Sequence, residues 1–254
     1  WEPRMARLGQ VPGWGLIRWL DQAVGMRARP RRFRQVSKLA RVIDLPPDER
    51  YLYSFLGCMT EAEKDRLYTD EARHQFAAVP HPLTVLSQYY QRVPHLSGLS
   101  RRQYGDLMNT LPGEMLFKTD SMTMAANLEA RPPLIDHQVV EFAARLPDHL
   151  RAGRNVGKVL LKQFAETLIP RDLVYRNKHG FEVPLDAWFR GDLAGPAREV
   201  LLSRAARDRG LFEPRAVEAL LAAHATGVVQ AGIRIYVLLM LELWCQENLD
   251  RGAA

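Results

Sequence analysis

Cysteine is scarce in this chain of 254 residues: Cys58 and Cys245 are its two cysteines, and they lie far apart. Such a pair gives no disulfide framework, and neither stands at a metal-ligand spacing from a histidine. The expectation is a reducing, cytoplasmic setting. Long hydrophobic runs are missing too. The most apolar tract, Ile235 to Leu241, is bounded by Arg234 and Glu242 and falls far short of the roughly 20 residues that cross a membrane. No membrane partner is expected. Trp1 to Leu20 holds no continuous apolar core of a secretory signal. No Gly-x-Ser-x-Gly elbow occurs, which excludes the common serine hydrolase arrangement. His74, His81 and His95 share no spacing that would assemble a metal site. Gly13-Trp-Gly15 lacks the third glycine of a dinucleotide fingerprint, so it and Ser97-Gly-Leu-Ser100 read as turns. Runs of alternating β-branched residues between turns are also lacking, so no central sheet is expected.

What is present is helical. Hydrophobic residues make up 47% of the chain, enough for a substantial core. They recur at three and four: Val139, Phe142, Ala143 and Leu146 form one stripe, and Val217, Leu220, Leu221 and His224 another. Thr60 with Glu63 predicts a capping box, Pro214 a first turn, and Gly227 a helix end. His224, on an apolar face, reads as a core histidine with its hydrogen bonds satisfied. The net charge is +6, and Arg27, Arg29, Arg31, Arg32, Arg34, Lys38 and Arg41 crowd one stretch. Pro30 interrupts that stretch and Phe33 is its one aromatic. A solvated face is expected there rather than a nucleic-acid site.

The most informative segment is Val174-Tyr-Arg-Asn-Lys-His-Gly-Phe-Glu-Val-Pro-Leu185. Arg176, Lys178 and His179 cluster beside a glycine and ahead of Val183-Pro184, which biases the backbone toward an extended, exposed loop. Such a loop can hold a cation against an anion. Read alone, it is a solvated basic loop before a helix beginning near Pro184.

Its company changes the reading. Upstream come Lys118-Thr-Asp120, Ser121-Met-Thr-Met-Ala125, Leu128-Glu-Ala-Arg131 and Leu134-Ile-Asp-His137. Val140 to Pro147 and Gly157-Lys158 follow, and beyond the loop stand Trp188-Phe-Arg-Gly-Asp-Leu193, Leu211-Phe-Glu-Pro214, His224 to Gly227 and Leu238 to Trp244. In this order the segments resemble the synthetase domain of glutamine-dependent asparagine synthetases. The likeness is strongest over 109–193 and 210–244.

The resemblance implies a mostly α fold, the helical C-terminal portion of an α/β adenine-nucleotide α-hydrolase-like (ATP-pyrophosphatase) synthetase domain spanning 1–254. It also implies ATP and magnesium in the complete enzyme, with aspartate or another carboxylic acid as substrate. Lys178 would be catalytic, stabilising charge as an acyl-adenylate forms. Asp120 and Arg131 would bind substrate, and Arg176 and His179 would contact phosphate. For Glu129, Arg131 and Asp136 a structural ion pair around the Pro132-Pro133 turn is the stronger reading. No metal ligands are assigned, and a homodimer stays open.

The chain departs from the family at Ser121, where arginine is common, at Pro132-Pro133-Leu134, where Val-Pro-Phe is common, and at Glu182, where glycine is common. It also lacks the family's Ser-Gly-Gly-x-Asp-Ser pyrophosphate loop, its acidic Gly-Asp-Gly-Gly-Asp-Glu segment and the glutaminase domain with its cysteine nucleophile. The expectation is therefore a C-terminal portion that needs N-terminal nucleotide-binding and glutaminase regions as partners and binds ATP poorly alone. Two other readings stand beside it: a relative that forms a different amide bond, by peptide cyclisation or metabolite amidation, and a helical interaction module without catalysis.

Overall fold

The computed structural model describes Tyr51 and residues 58–153, 156–177 and 183–250. Lys178, His179, Glu182, Gly13-Trp-Gly15 and the basic stretch from Arg27 to Arg41 lie outside those residues. Among the described residues there are helices and no strands, with isolated antiparallel bridges joining Tyr68 to Phe212 and Ala152 to Gly157. The mostly helical expectation holds.

In chain order, α1 (Glu61–Leu67) and α2 (Asp70–Phe76) come first. Next are α3 (Pro82–Gln91), α4 (Gly98–Gly105), α5 (Phe117–Met124), α6 (His137–Arg145), α7 (Asp148–Arg151), α8 (Val159–Ala165) and α9 (Arg171–Val174). After them stand α10 (Leu185–Trp188), α11 (Ala194–Leu201), α12 (Arg204–Arg209), α13 (Pro214–Ala225) and α14 (Gly232–Cys245). The chain divides into two units. A middle unit takes Tyr51 and 81–177, and a split unit takes 58–80 and 183–250.

In the split unit, local signals set the helix ends. Thr60 Oγ1 accepts the N–H of Glu63, and the Glu63 carboxylate accepts the N–H of Thr60 at 2.8 Å, the predicted capping box. Pro214 sits in the first turn of α13, where its missing N–H costs nothing. Gly227, at φ 74, follows the end of α13 in the left-handed region that favours glycine. The core is built from Leu67, Phe189, Leu201, Val217, Ile235 and Leu238, with smaller side chains between them. Each large apolar side chain removed from water contributes about 1.5–3 kcal/mol.

Helix α14 organises this core. Ile235, Leu238, Glu242 and Cys245 are buried, at spacings that place them on one face. Ile233, Tyr236, Val237, Met240 and Trp244 are exposed. Gly232 starts the helix against α10, where a Cβ would lie 2.6 Å from the Asp186 nitrogen. The close approach lets the Gly232 N–H donate to Asp186 Oδ1 at 2.9 Å. Farther along, Arg209 forks onto Glu242 at 3.0 and 3.1 Å and onto Asp250 at 2.8 and 3.1 Å. Glu242 is only 6% exposed, so this pairing is what makes its burial tolerable.

His224 only half meets its expectation. It is fully buried, and its Nδ1 lies 3.1 Å from the Ala231 nitrogen, whose N–H it can accept, and 3.2 Å from the Val229 carbonyl oxygen, to which it can donate in the other tautomer. Nε2, however, has no hydrogen-bond partner among the described residues. Helical spacing puts the ring in the core but does not report whether both of its nitrogens find partners there.

The middle unit is a different construction. Ser97 is no turn residue but the N-cap of α4, its Oγ accepting the Ser100 N–H at 3.2 Å. Arg151 ties α7 back to α4 by donating to Gln103 and to Ser100 Oγ, each at 2.7 Å. Between α4 and α5 runs a π-helical stretch, Asp106–Leu116, that contains Pro112. Proline supplies no N–H to a helical ladder, and the wide i to i+5 turn runs across it. Tyr51 donates to Asp106 Oδ2 at 2.6 Å, and burial is the main cause that pushes its phenol up. Tyr90 is buried against Gly105, where a Cβ would meet the ring at 2.8 Å. The stripe on α6 forms as a helix face, yet Val139 and Phe142 are exposed.

Candidate functional site

The segments that carry the sequence motifs fall in the middle unit, and each is set by local chemistry. Asp120 lies on α5, exposed, and its carboxylate makes no hydrogen bond or ion pair among the described residues. The helix is followed by Asn127 at φ 56, a left-handed conformation that asparagine tolerates. That turn leads into the Glu129 to Asp136 stretch.

Arg131 donates through Nε and Nη2 to the two carboxylate oxygens of Glu129, both at 2.9 Å. Its charge is therefore committed in a bidentate pair. Both side chains are largely exposed, so solvent screens the pair and it adds little to stability. Asp136 does not join this pair. It caps α6, accepting the Gln138 N–H at 2.9 Å. The Leu-Ile-Asp-His signature is thus a short 3-10 turn, Pro133–Ile135, running into a capped helix.

Arg176 is exposed and makes no hydrogen bond or ion pair among the described residues. Asp120, Arg131 and Arg176 are joined to one another by no such contact. Just before Arg176 stands a cluster that sequence reasoning did not find. Lys162 Nζ lies over the Tyr175 ring at 4.9 Å from its centroid, and Arg171 Cζ lies over it at 4.8 Å. The nearby Glu166 is the leading cause that pushes the Tyr175 phenol up. Arg171 Nη1 completes the ring of contacts by donating to Glu166 at 2.9 Å. The spacing of these four residues forms no recognisable motif, so no sequence signal marked them.

Among the described residues no group of three or more histidine, cysteine or acidic side chains is placed to hold a metal ion. Likewise, no helix among them is long and apolar enough to cross a membrane.

Comparison with known proteins defines the class. The family model described as asparagine synthase matches residues 12–246. The chain belongs to the asparagine synthase family. It is 28% identical over 167 residues to asparagine synthetase (glutamine-hydrolyzing) 1 of Bacillus subtilis, covering 66% of this chain and 26% of that protein. Putative asparagine synthetases (glutamine-hydrolyzing) of Mycobacterium bovis and Mycobacterium tuberculosis are 34% identical over 147 residues, or 58% of this chain and 22% of theirs. The chain thus spans about a quarter of the length of the curated relatives it matches. No solved structure matches it.

Proposed function

We propose that this chain is the helical C-terminal portion of an ATP-dependent amide-forming ligase, and that an α/β adenine-nucleotide-binding region completes it. The family match over 12–246, with motifs in the family's order, is the observation that carries this reading. Exposed Phe117, Met122, Leu134 and Phe142 on the middle unit support it, because such side chains suit a surface that another lobe covers.

The chemistry proposed is activation of a carboxylate. A carboxylate oxygen attacks the α-phosphorus of ATP, the acyl–O–P bond forms, and the bond to pyrophosphate breaks. An amine nitrogen then attacks the acyl carbon and AMP leaves. Two anions must meet in the first step, so a fixed cation where charge builds lowers the barrier. Lys178 takes that role in this reading, with Arg176 and His179 toward phosphate and Asp120 at the substrate's edge. Arg131, already paired with Glu129, is better suited to shaping the turn. Aspartate is the first candidate acid and ammonia derived from glutamine the first candidate amine. The substitutions at Ser121, Pro133 and Glu182 favour a second reading, in which the same activation serves another amide bond.

The decisive measurement is exchange of labelled pyrophosphate into ATP by the complete protein, with aspartate and then a panel of carboxylic acids. Exchange supports ligase chemistry, and the acid that elicits it separates the two readings. No exchange with any acid leaves the helical interaction module. Lys178→Ala is expected to slow exchange by about a hundredfold or more while leaving the fold intact. Near-normal exchange would return Lys178 to a solvated loop. Residues 1–254 alone are expected to bind ATP poorly, which calorimetry with ATP and magnesium would contradict by showing tight binding.

A further inference from the structure

Helix α14 is apolar on every side, and a helix of that kind is normally covered on every side. Ile235, Leu238, Glu242 and Cys245 are buried in the split unit. At about 100° per residue, the opposite face carries Ile233, Tyr236, Val237, Met240, Leu241 and Trp244, which are 39–55% exposed. The charged residues of that span are turned aside. Arg234 donates to the Cys58 carbonyl at 3.1 Å and lies 3.5 Å from the Glu63 carboxylate, and Glu242 is held by Arg209. The open stripe is therefore uncharged over about three turns, so what covers it must be apolar too.

The stripe is also symmetric along the chain. Its steps from Ile233 to Trp244 are three, one, three, one and three residues, the same read from either end. Laid antiparallel on a copy of itself, it sets Ile233 against Trp244, Tyr236 against Leu241 and Val237 against Met240, a larger side chain meeting a smaller one each time. A two-fold pairing requires such self-complementarity, and the opposed helix dipoles favour it. Taking roughly 200 Å² for a large side chain, the six expose on the order of 500 Å², so a pair would cover about 1,000 Å², the lower bound for a specific interface. We propose that this face of α14 binds the same face of a second copy, antiparallel about a two-fold axis, in a dimer of about micromolar strength.

The test is sedimentation of the complete protein from about 0.1 to 100 μM, where a shift from monomer to dimer is expected. Met240→Glu should weaken that dimer about a hundredfold, because the pairing would bury a carboxylate without a partner. Its site is exposed, so the thermal midpoint should stay within about 2 °C of wild type. A protein that stays monomeric throughout overturns the proposal, including the case in which another part of the complete protein covers α14. A dimer that Met240→Glu leaves intact overturns it too, by placing the interface elsewhere. Disulfide trapping reads the direction of the pair. Mixed Ile233→Cys and Trp244→Cys proteins should crosslink above the wild-type background, and neither should do so alone. Like positions in the antiparallel pair lie about 16 Å apart along the axis, and a disulfide needs Cα atoms within about 7 Å. Trapping of each variant alone would refute the antiparallel pair, and no trapping in any sample would refute the interface. Should Met240→Glu lower the midpoint, the trapping result decides.

Discussion

The split unit buries a cluster of large apolar side chains beneath others left exposed on α14, whereas the middle unit leaves nearly all of its described ones in or near solvent. Leu67, Phe189, Leu201, Val217, Ile235 and Leu238 are buried in the first, whereas Phe117, Met122, Leu134, Phe142, Phe164 and Leu168 are each about three-fifths exposed or more in the second. Tyr90 is the apolar side chain of the middle unit that is buried among the described residues. The difference teaches that one unit carries a core of its own, while the other is held by caps, ion pairs and hydrogen bonds. The unit with the thinner core is also the one that bears Asp120, Arg131 and Arg176. The candidate site residues and the buried apolar cluster thus fall in different parts of the chain.

The largest way to test that contrast is Arg209→Ala. It takes the cation from the buried Glu242 carboxylate, leaving it the Gln246 amide at 2.9 Å, and should destabilise the split unit by about 3 kcal/mol. Urea unfolding read by hydrogen exchange in each unit would check it, and a loss confined to the middle unit would break the comparison. Next is a matched pair of truncations. Ile235→Ala should cost about 2–5 kcal/mol, as expected for a buried aliphatic side chain. Phe142→Ala, at a site 59% exposed, should cost about 0.5 kcal/mol or less. Equal costs would show that the middle unit has a core after all.

Gly232→Ala should rank third at about 1–3 kcal/mol, because its Cβ would strike the backbone of Asp186 and Leu185. Gly113→Ala, with open space around it, should be nearly neutral. Asp136→Ala removes the cap of α6 and should cost about 1 kcal/mol, seen as faster exchange of amides in the first turn.

The smallest effect concerns acid. Hydrogen bonds from Arg209 hold the Asp250 carboxyl below its ordinary value of 3.8. A carboxyl depressed in the folded state contributes stability that is present above 3.8 and is lost as pH falls through the lower folded value. Asp250→Asn should therefore lower split-unit stability slightly near neutrality and flatten its decline below about pH 4, where variant and wild type converge. An unchanged acid limb would remove Asp250 from the Arg209 fork.

How much of this is legible in the sequence varies with the range of the interaction. The capping box at Thr60, the proline start of α13 and the glycine after it each rest on residues within four positions, and all are readable. A carboxylate partner for Arg131 is readable too, but the sequence leaves Glu129 and Asp136 both open, and the structure decides for Glu129. Ser97 is the exception among local signals, because a serine that opens a turn and one that caps a helix differ only in the residues after them. The α6 stripe reads correctly as a helix, but periodicity says which side chains share a face and nothing about whether that face is covered.

By itself, then, the sequence determined the helical character, a few helix ends and the family, because these depend on neighbours along the chain and on the order of short motifs. Tertiary structure alone decided that Arg209 would join Glu242 across 33 positions and Asp250 across 41, and that Lys162 and Arg171 would converge on the Tyr175 ring. Contacts of that kind arise only when elements pack, and packing responds to volume and charge in three dimensions that a linear pattern does not encode.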